Sequence, residues 1–101
     1  MALRIEYADE ARSDLIAIAR QSRAQWGEAH ARAFFEGLEQ SIAQLAALPH
    51  TGQPADDIRK GLRRRVYRAL TIFYTLETDS LRILAVLHGR QDAPSTLENR
   101  P

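Results

Sequence analysis

The chain contains no cysteine, which removes disulfide frameworks, thiolate zinc sites and cysteine nucleophiles together. No apolar run approaches the roughly eighteen residues that a membrane-crossing helix needs. The opening Met1-Ala2-Leu3-Arg4-Ile5-Glu6 lacks the apolar stretch of a secretory signal. Glycine (5) and proline (4) are sparse, and neither a Gly-x-Ser-x-Gly elbow nor a Gly-rich phosphate loop occurs. His88-Gly89-Arg90-Gln91-Asp92 has too few glycines for the latter. The three histidines, His30, His50 and His88, stand far apart without a carboxylate or second histidine at ligand spacing. These absences point to a cytoplasmic protein with no metal, no cofactor and no membrane association.

What is present suits one folded domain. The 101 residues are 45% apolar and 27% charged, an ordinary globular balance, and too few for two cores. The net charge of +1 hides an asymmetry. Residues 1–57 hold 5 cations against 9 carboxylates, a balance of −4. Residues 58–101 hold 9 against 4, a balance of +5, and six of those cations crowd into Arg59–Arg68 with no acid among them. Such a cluster calls for an anionic partner, protein or nucleic acid, unless it is merely a solvated strand face.

The hydrophobic periods define six elements. Leu3, Ile5 and Tyr7 alternate with Arg4 and Glu6, a half-buried strand. Asp9 offers an N-cap, and Ala11, Leu15, Ile18, Ala19, Ser22 and Trp26 then recur every three or four residues as one helical stripe. Gly27 can end that helix. A second stripe, Ala31, Phe34, Phe35, Leu38, Ile42, Leu45 and Leu48, runs until Pro49 bars it. Two helices so closely joined form an antiparallel hairpin, with Trp26 and both phenylalanines expected in the core. Residues 49–57 read as a surface loop.

Strands follow at Leu62–Val66, Leu70–Leu76 and Leu81–His88, the last apolar on both sides and so expected at the centre of the sheet. The reading is α+β in two layers: an N-terminal strand, an antiparallel helical hairpin and a three-stranded antiparallel meander (β-α-α-β-β-β). It spans residues 1–92 as a single domain, with 93–101 a flexible C-terminal tail.

Arg63 and Arg65 share one strand face by the period of two, taken here as the solvent side, and Arg64 points the other way with Leu62 and Val66. If Arg64 faces inward it needs a carboxylate partner, or else the strand is an edge whose inner face is only partly covered. Arg59, Arg63, Arg65, Arg68 and Arg90 are the candidate binding residues, since guanidinium forks suit carboxylates and phosphates alike.

Residues spread along the chain resemble the ParE branch of the RelE/ParE superfamily, toxins of type II toxin–antitoxin modules. They are Ala11-x-x-Asp14-Leu15-x-x-Ile18, Trp26-Gly27, Leu45–Pro49 with Gly52, and Asp57-Ile58-Arg59-x-Gly61-Leu62-Arg63. Ile72-Phe73-Tyr74 and Leu84-x-Val86-Leu87-His88-x-Arg90-x-Asp92 complete the series. The resemblance implies the fold just described and a plasmid-stabilisation toxin with no catalytic residues. Such a toxin inhibits DNA gyrase by binding and stabilising its cleaved-DNA complex. It further implies neutralisation in a hetero-oligomer with a ParD-like antitoxin, and no direct sequence-specific nucleic-acid binding.

RelE-like relatives with the same fold cleave mRNA on the ribosome. They carry an arginine where this chain has Thr71 and a tyrosine where it has Thr96, while Arg90 matches and His88 is a titratable group in reach. The alternatives are therefore a ribosome-dependent mRNA endonuclease using His88 and Arg90, or a non-toxic relic that only binds its antitoxin. Two positions depart from the ParE pattern: Tyr67-Arg68-Ala69 lacks a clear turn former, and Thr75 stands where arginine often follows Phe-Tyr.

Overall fold

The computed structural model describes residues 2–89 and 91–101. Strand β1 (Arg4–Tyr7) leads into helix α1 (Asp9–Trp26), which turns through Gly27 into helix α2 (Glu28–Ala47). A short 3-10 turn (Pro49–Thr51) and strand β2 (Gln53–Pro54) follow. Strands β3 (Arg63–Tyr67), β4 (Leu70–Leu76) and β5 (Ser80–His88) form the meander, and helix α3 (Ala93–Glu98) closes the chain. The sheet order is β1-β5-β4-β3-β2, with β1 parallel to β5 and every other pair antiparallel. The α+β meander with its helical hairpin is as expected, and β5 lies between two strands as its apolar run requires.

Local chemistry explains the element ends. Gly27, at φ 87°, takes a positive angle that other residues resist, and its N–H bonds back to the Arg23 carbonyl at 3.0 Å. The expected Asp9 cap is displaced by one residue: Ala8 holds the cap position at φ −65°, ψ 153°, with no side-chain cap, and Asp9 is the first helical residue. The reason lies in β1, because the Ala8 N–H is already committed to the Ile83 carbonyl (2.9 Å) and extends the parallel pairing to the helix start.

The core lies between the sheet and the two helices. Leu38, Ile42 and Leu45 of α2 face Ile72 and Tyr74 of β4 and Leu81, Ile83 and Val86 of β5, all essentially buried within one cluster. Each such side chain contributes about 1.5–3 kcal/mol. Tyr74 is wholly buried, and its hydroxyl donates to the Pro49 carbonyl at 2.8 Å. Gly52 is required beside it, since a Cβ there would collide with that hydroxyl and approach the Arg64 carbonyl. The 49–57 loop is thereby bound to the sheet and supplies the fifth strand through Gln53↔Arg64 and Pro54↔Arg63 pairing.

Two expectations about packing need correction. Trp26 is not core but 45% exposed. It sits on the last turn of α1 and packs on His30 and Phe34 of α2 at ring separations of 5.6 and 5.8 Å. Phe34 and Phe35 are half-buried against the core rather than inside it.

The segment expected as a loose tail is folded onto the domain: Asp92 caps α3 through the Ser95 N–H, and Leu97 is fully buried. Polar composition concealed this, because one leucine and one charge carry the docking.

The two-layer α+β arrangement is as expected, with one addition. Beyond the sheet from α1 and α2, α3 and residues 55–62 add partial cover, with Ala55, Leu62 and Leu97 buried in the same core cluster.

Candidate interaction surface

Strand pairing decides where the cationic run points. Arg63, Arg65 and Tyr67 stand opposite Tyr74, Ile72 and Leu70 on the helix side of the sheet. Arg64 and Val66 stand opposite Phe73 and Thr71 on the other side. The expected solvent face for Arg63 and Arg65 is therefore overturned. Tyr67 fixes the polarity, since its hydroxyl donates to the Phe34 carbonyl (2.9 Å) and its ring meets Phe34 edge-on at 5.3 Å. An aromatic two residues beyond Arg65 was the available signal; three consecutive arginines made both faces look wet.

The arginines divide by role. Arg63 Nη2 donates to the carbonyls of Gly52 (2.6 Å) and His50 (3.1 Å), and its Nε is buried without a partner. Arg65 reaches Gln44 Oε1 only at 3.5 Å, leaving Nη1 buried and unpaired. Arg59 donates to the carbonyls of Leu97 and Arg100, tying the 55–62 segment to α3. These three serve the fold first. Arg90 lies outside the described residues.

Arg64 and Arg68 are positioned otherwise. Arg64 lines a groove of about 520 Å³ whose other walls include Val66, Thr71, Phe73, Leu87, Asp57 and Pro94. Val66 is 65% exposed there, a large apolar side chain facing solvent. Of the expectation for Arg64 only the incompletely covered face is observed: β3 is not the edge strand, because β2 pairs with it at Arg63 and Arg64, but Val66 beyond that pairing is exposed and Arg64 has no ion pair among the described residues.

Arg68 occupies the two-residue turn with Ala69 between β3 and β4 at φ 54°. A positive angle at that position alone matches a type II′ turn, which prefers glycine, so arginine there is strained by about 1 kcal/mol. Its guanidinium sits 5.7 Å from the Tyr67 ring. His88, exposed at the end of β5 and paired with Leu70, borders the grooves on both sides of the hairpin.

Thr71 forms part of the groove lining and Thr96 lies on α3, half-buried. Neither side chain supplies a group that is cationic or acid–base active near neutral pH. Among the described residues, no three His, Asp or Glu side chains gather as a metal site requires, and the two ion pairs are Arg4–Glu6 and Arg100–Asp14. No helix among them is long and apolar enough to cross a membrane.

The five-stranded sheet backed by a helical hairpin, with arginines along β3 and its turn into β4, is the fold that the resemblance implied. A solved structure described as a chromosomal ParDE TA system from P. aeruginosa superposes with a TM-score of 0.74, covering 86% of this chain and 96% of that one at 15% identity. At that identity the match speaks for the fold.

Residues 5–93 match the family model described as ParE toxin of type II toxin-antitoxin system, parDE. The chain is 31% identical over 87 residues to Toxin ParE1 of Caulobacter vibrioides, covering 86% of this chain and 90% of that protein. It is 32% identical over 92 residues to Toxin ParE of Escherichia coli, covering 90% and 89%. The chain belongs to the ParE toxin family.

Proposed function

We propose that this protein is the toxin of a type II module that binds DNA gyrase in the cytoplasm and stabilises its cleaved-DNA complex, and that a cognate ParD-like antitoxin neutralises it. The match to the ParE family over residues 5–93 carries this reading. No bond-breaking step is assigned to the toxin. An inhibitor of this kind acts by binding one state of its target more tightly than the others, and every tenfold preference shifts that equilibrium by about 1.4 kcal/mol. Thr71 and Thr96 support this reading over the nuclease one, because phosphodiester cleavage needs cations for the phosphorane charge and a proton donor for the leaving oxygen.

Arg64 and the exposed Val66 beside it offer a charge and an apolar contact to a macromolecular partner. A disordered antitoxin segment that orders on the toxin would lay acids and apolar side chains across such a surface, giving a hetero-oligomer. The deciding experiment is a supercoiling and cleavage assay with purified gyrase and this protein. Loss of supercoiling with accumulation of cleaved DNA, reversed by the antitoxin, is expected. Unimpaired supercoiling together with cut message in a translating extract would overturn the reading in favour of a His88-dependent endonuclease. Normal growth on inducing the chain alone would favour the inert relic.

A further inference from the structure

The outer face of the helical hairpin, turned away from the sheet, carries its charges in two stripes of opposite sign. Beyond the acidic first turn of α1, Arg12, Ile16, Arg20 and Arg23 follow at the spacing of one helical turn, all of them exposed. Ile16 is 54% exposed, a large apolar side chain set among three cations. The carboxylate closest to them in α1, Asp14, is already held by Arg100. Alongside, on α2, Glu28, Glu36 and Glu39 are exposed against a single cation, Arg32. Among the described residues none of these exposed charges forms an ion pair. Between the stripes lies a hollow of about 180 Å³ that runs past Ala19, Ala31 and Phe35.

The two stripes are also in step. The helices run antiparallel from Gly27, so residues at similar distances from it stand side by side. Arg20 and Glu36 are such a pair, and Arg12 and Glu39 both act on the Tyr7 phenol, which puts them at one level. We propose that this face is an interface between two copies of the chain, packed about a two-fold axis parallel to the helices. That rotation lays each α1 antiparallel over the other copy's α2 at the same level, as in a four-helix bundle. The arginine stripe of each copy then meets the glutamate stripe of the other, and Ile16 enters the facing hollow.

The mixed sign selects this occupant. An acidic segment or a phosphate backbone would be drawn to α1 and repelled by the three glutamates of α2, and a basic partner would meet the reverse. A second copy satisfies both stripes at once. With one large exposed apolar side chain on each side, the association belongs to the weak, reversible class. The inference stands on the helices alone and does not rest on the gyrase reading.

Sedimentation velocity of the purified protein, over a concentration series reaching about 1 mM, is expected to show a monomer–dimer equilibrium that weakens in high salt. Ile16→Gln should weaken the dimer at least about tenfold with the melting temperature unchanged, because the side chain it replaces is already in solvent. Arg20→Glu and Glu36→Arg, made separately, each bring like charges together across the axis and weaken association to a similar degree. Combined in one chain they restore it, which a loss of folding would not do. A monomer at every concentration overturns the inference. So does a dimer unmoved by Ile16→Gln, or a double variant no stronger than either single one. Tighter binding of polyglutamate or polylysine than of a second copy would likewise assign the face to another partner.

Discussion

The Arg100 guanidinium grips the Asp14 carboxylate through two nitrogens, at 2.7 and 2.9 Å, joining the end of the chain to the first helix. The same carboxylate accepts the Val86 N–H at 3.0 Å, and Arg100 also donates to the Leu84 carbonyl at 3.2 Å. These backbone groups belong to the stretch of β5 that continues past β1, whose pairing stops at Ile83. Asp14 and Arg100 thus do for the open strand edge what a neighbouring strand would do, satisfying groups that otherwise invite pairing with another chain. The contact raises the Arg100 pKa through the hydrogen bond to Asp14, against the opposing effect of burial. The guanidinium therefore stays charged throughout the working pH range.

With side chains only 15% and 14% exposed, the pair is shielded enough for its loss to register. A double-mutant cycle with Asp14→Ala and Arg100→Ala is expected to give a coupling energy of about 2 kcal/mol by denaturant unfolding. Removing Arg100 alone also leaves Asp14 with an unpaired, mostly buried charge. A coupling near zero would show that the pair merely decorates the edge.

Gly52→Ala should destabilise the fold by about 2–3 kcal/mol, because the new methyl meets both the Tyr74 hydroxyl and the Arg64 backbone oxygen. Tyr74→Phe alone forfeits the bond to Pro49, about 1 kcal/mol. In the Gly52→Ala background the same change removes the tightest of three close contacts, leaving the Tyr74 ring carbon and the Arg64 oxygen at 2.9 Å each. The two losses should therefore sum to more than the double variant shows in chemical denaturation.

The sequence was most readable where burial acts on regular periods. The alternation of β1, the stripe of α2 and the continuous apolar run of β5 each reflect a face turned to one core, and those elements stand where their patterns place them. Legibility failed where a single residue carries the structure. Leu97 and Arg100 dock the end of the chain without any periodic signal, and β2 is too short to show alternation. For the candidate surface, spacing correctly paired Arg63 with Arg65 on one face. Choosing that face depended on Tyr67, whose contact with Phe34 comes from a helix 33 residues away.

Alkaline stability offers a separate check on β1. Burial holds the Tyr7 phenol above its ordinary pKa of 10.0, reinforced by the Glu39 carboxylate and opposed by Arg12. The folded protein then keeps the proton where the unfolded chain has begun to release it. This contribution is whole below the unfolded pKa and is lost as pH rises through the folded one. The melting temperature of the parent should fall more steeply than that of Tyr7→Phe above about pH 10, and the two should run parallel below it. Parallel curves throughout would mean that the phenol is as solvated in the fold as outside it.

Neighbouring arginines on opposite faces of β3 permit the sharpest separation of stability from binding. Arg63 donates to the two loop carbonyls of Gly52 and His50, so Arg63→Ala should cost about 2 kcal/mol of folding stability. Arg64 lines the open groove with no ion pair among the described residues, and Arg64→Ala should stay within about 0.5 kcal/mol of the parent. Against a ParD-like antitoxin the order should reverse for Arg64→Glu, which places a negative charge where acids are expected to dock. Affinity should drop at least about tenfold by calorimetry while the melting temperature holds. If Arg64→Glu binds normally and only Arg63 variants lose affinity, the helix-side face, not the groove, carries the partner.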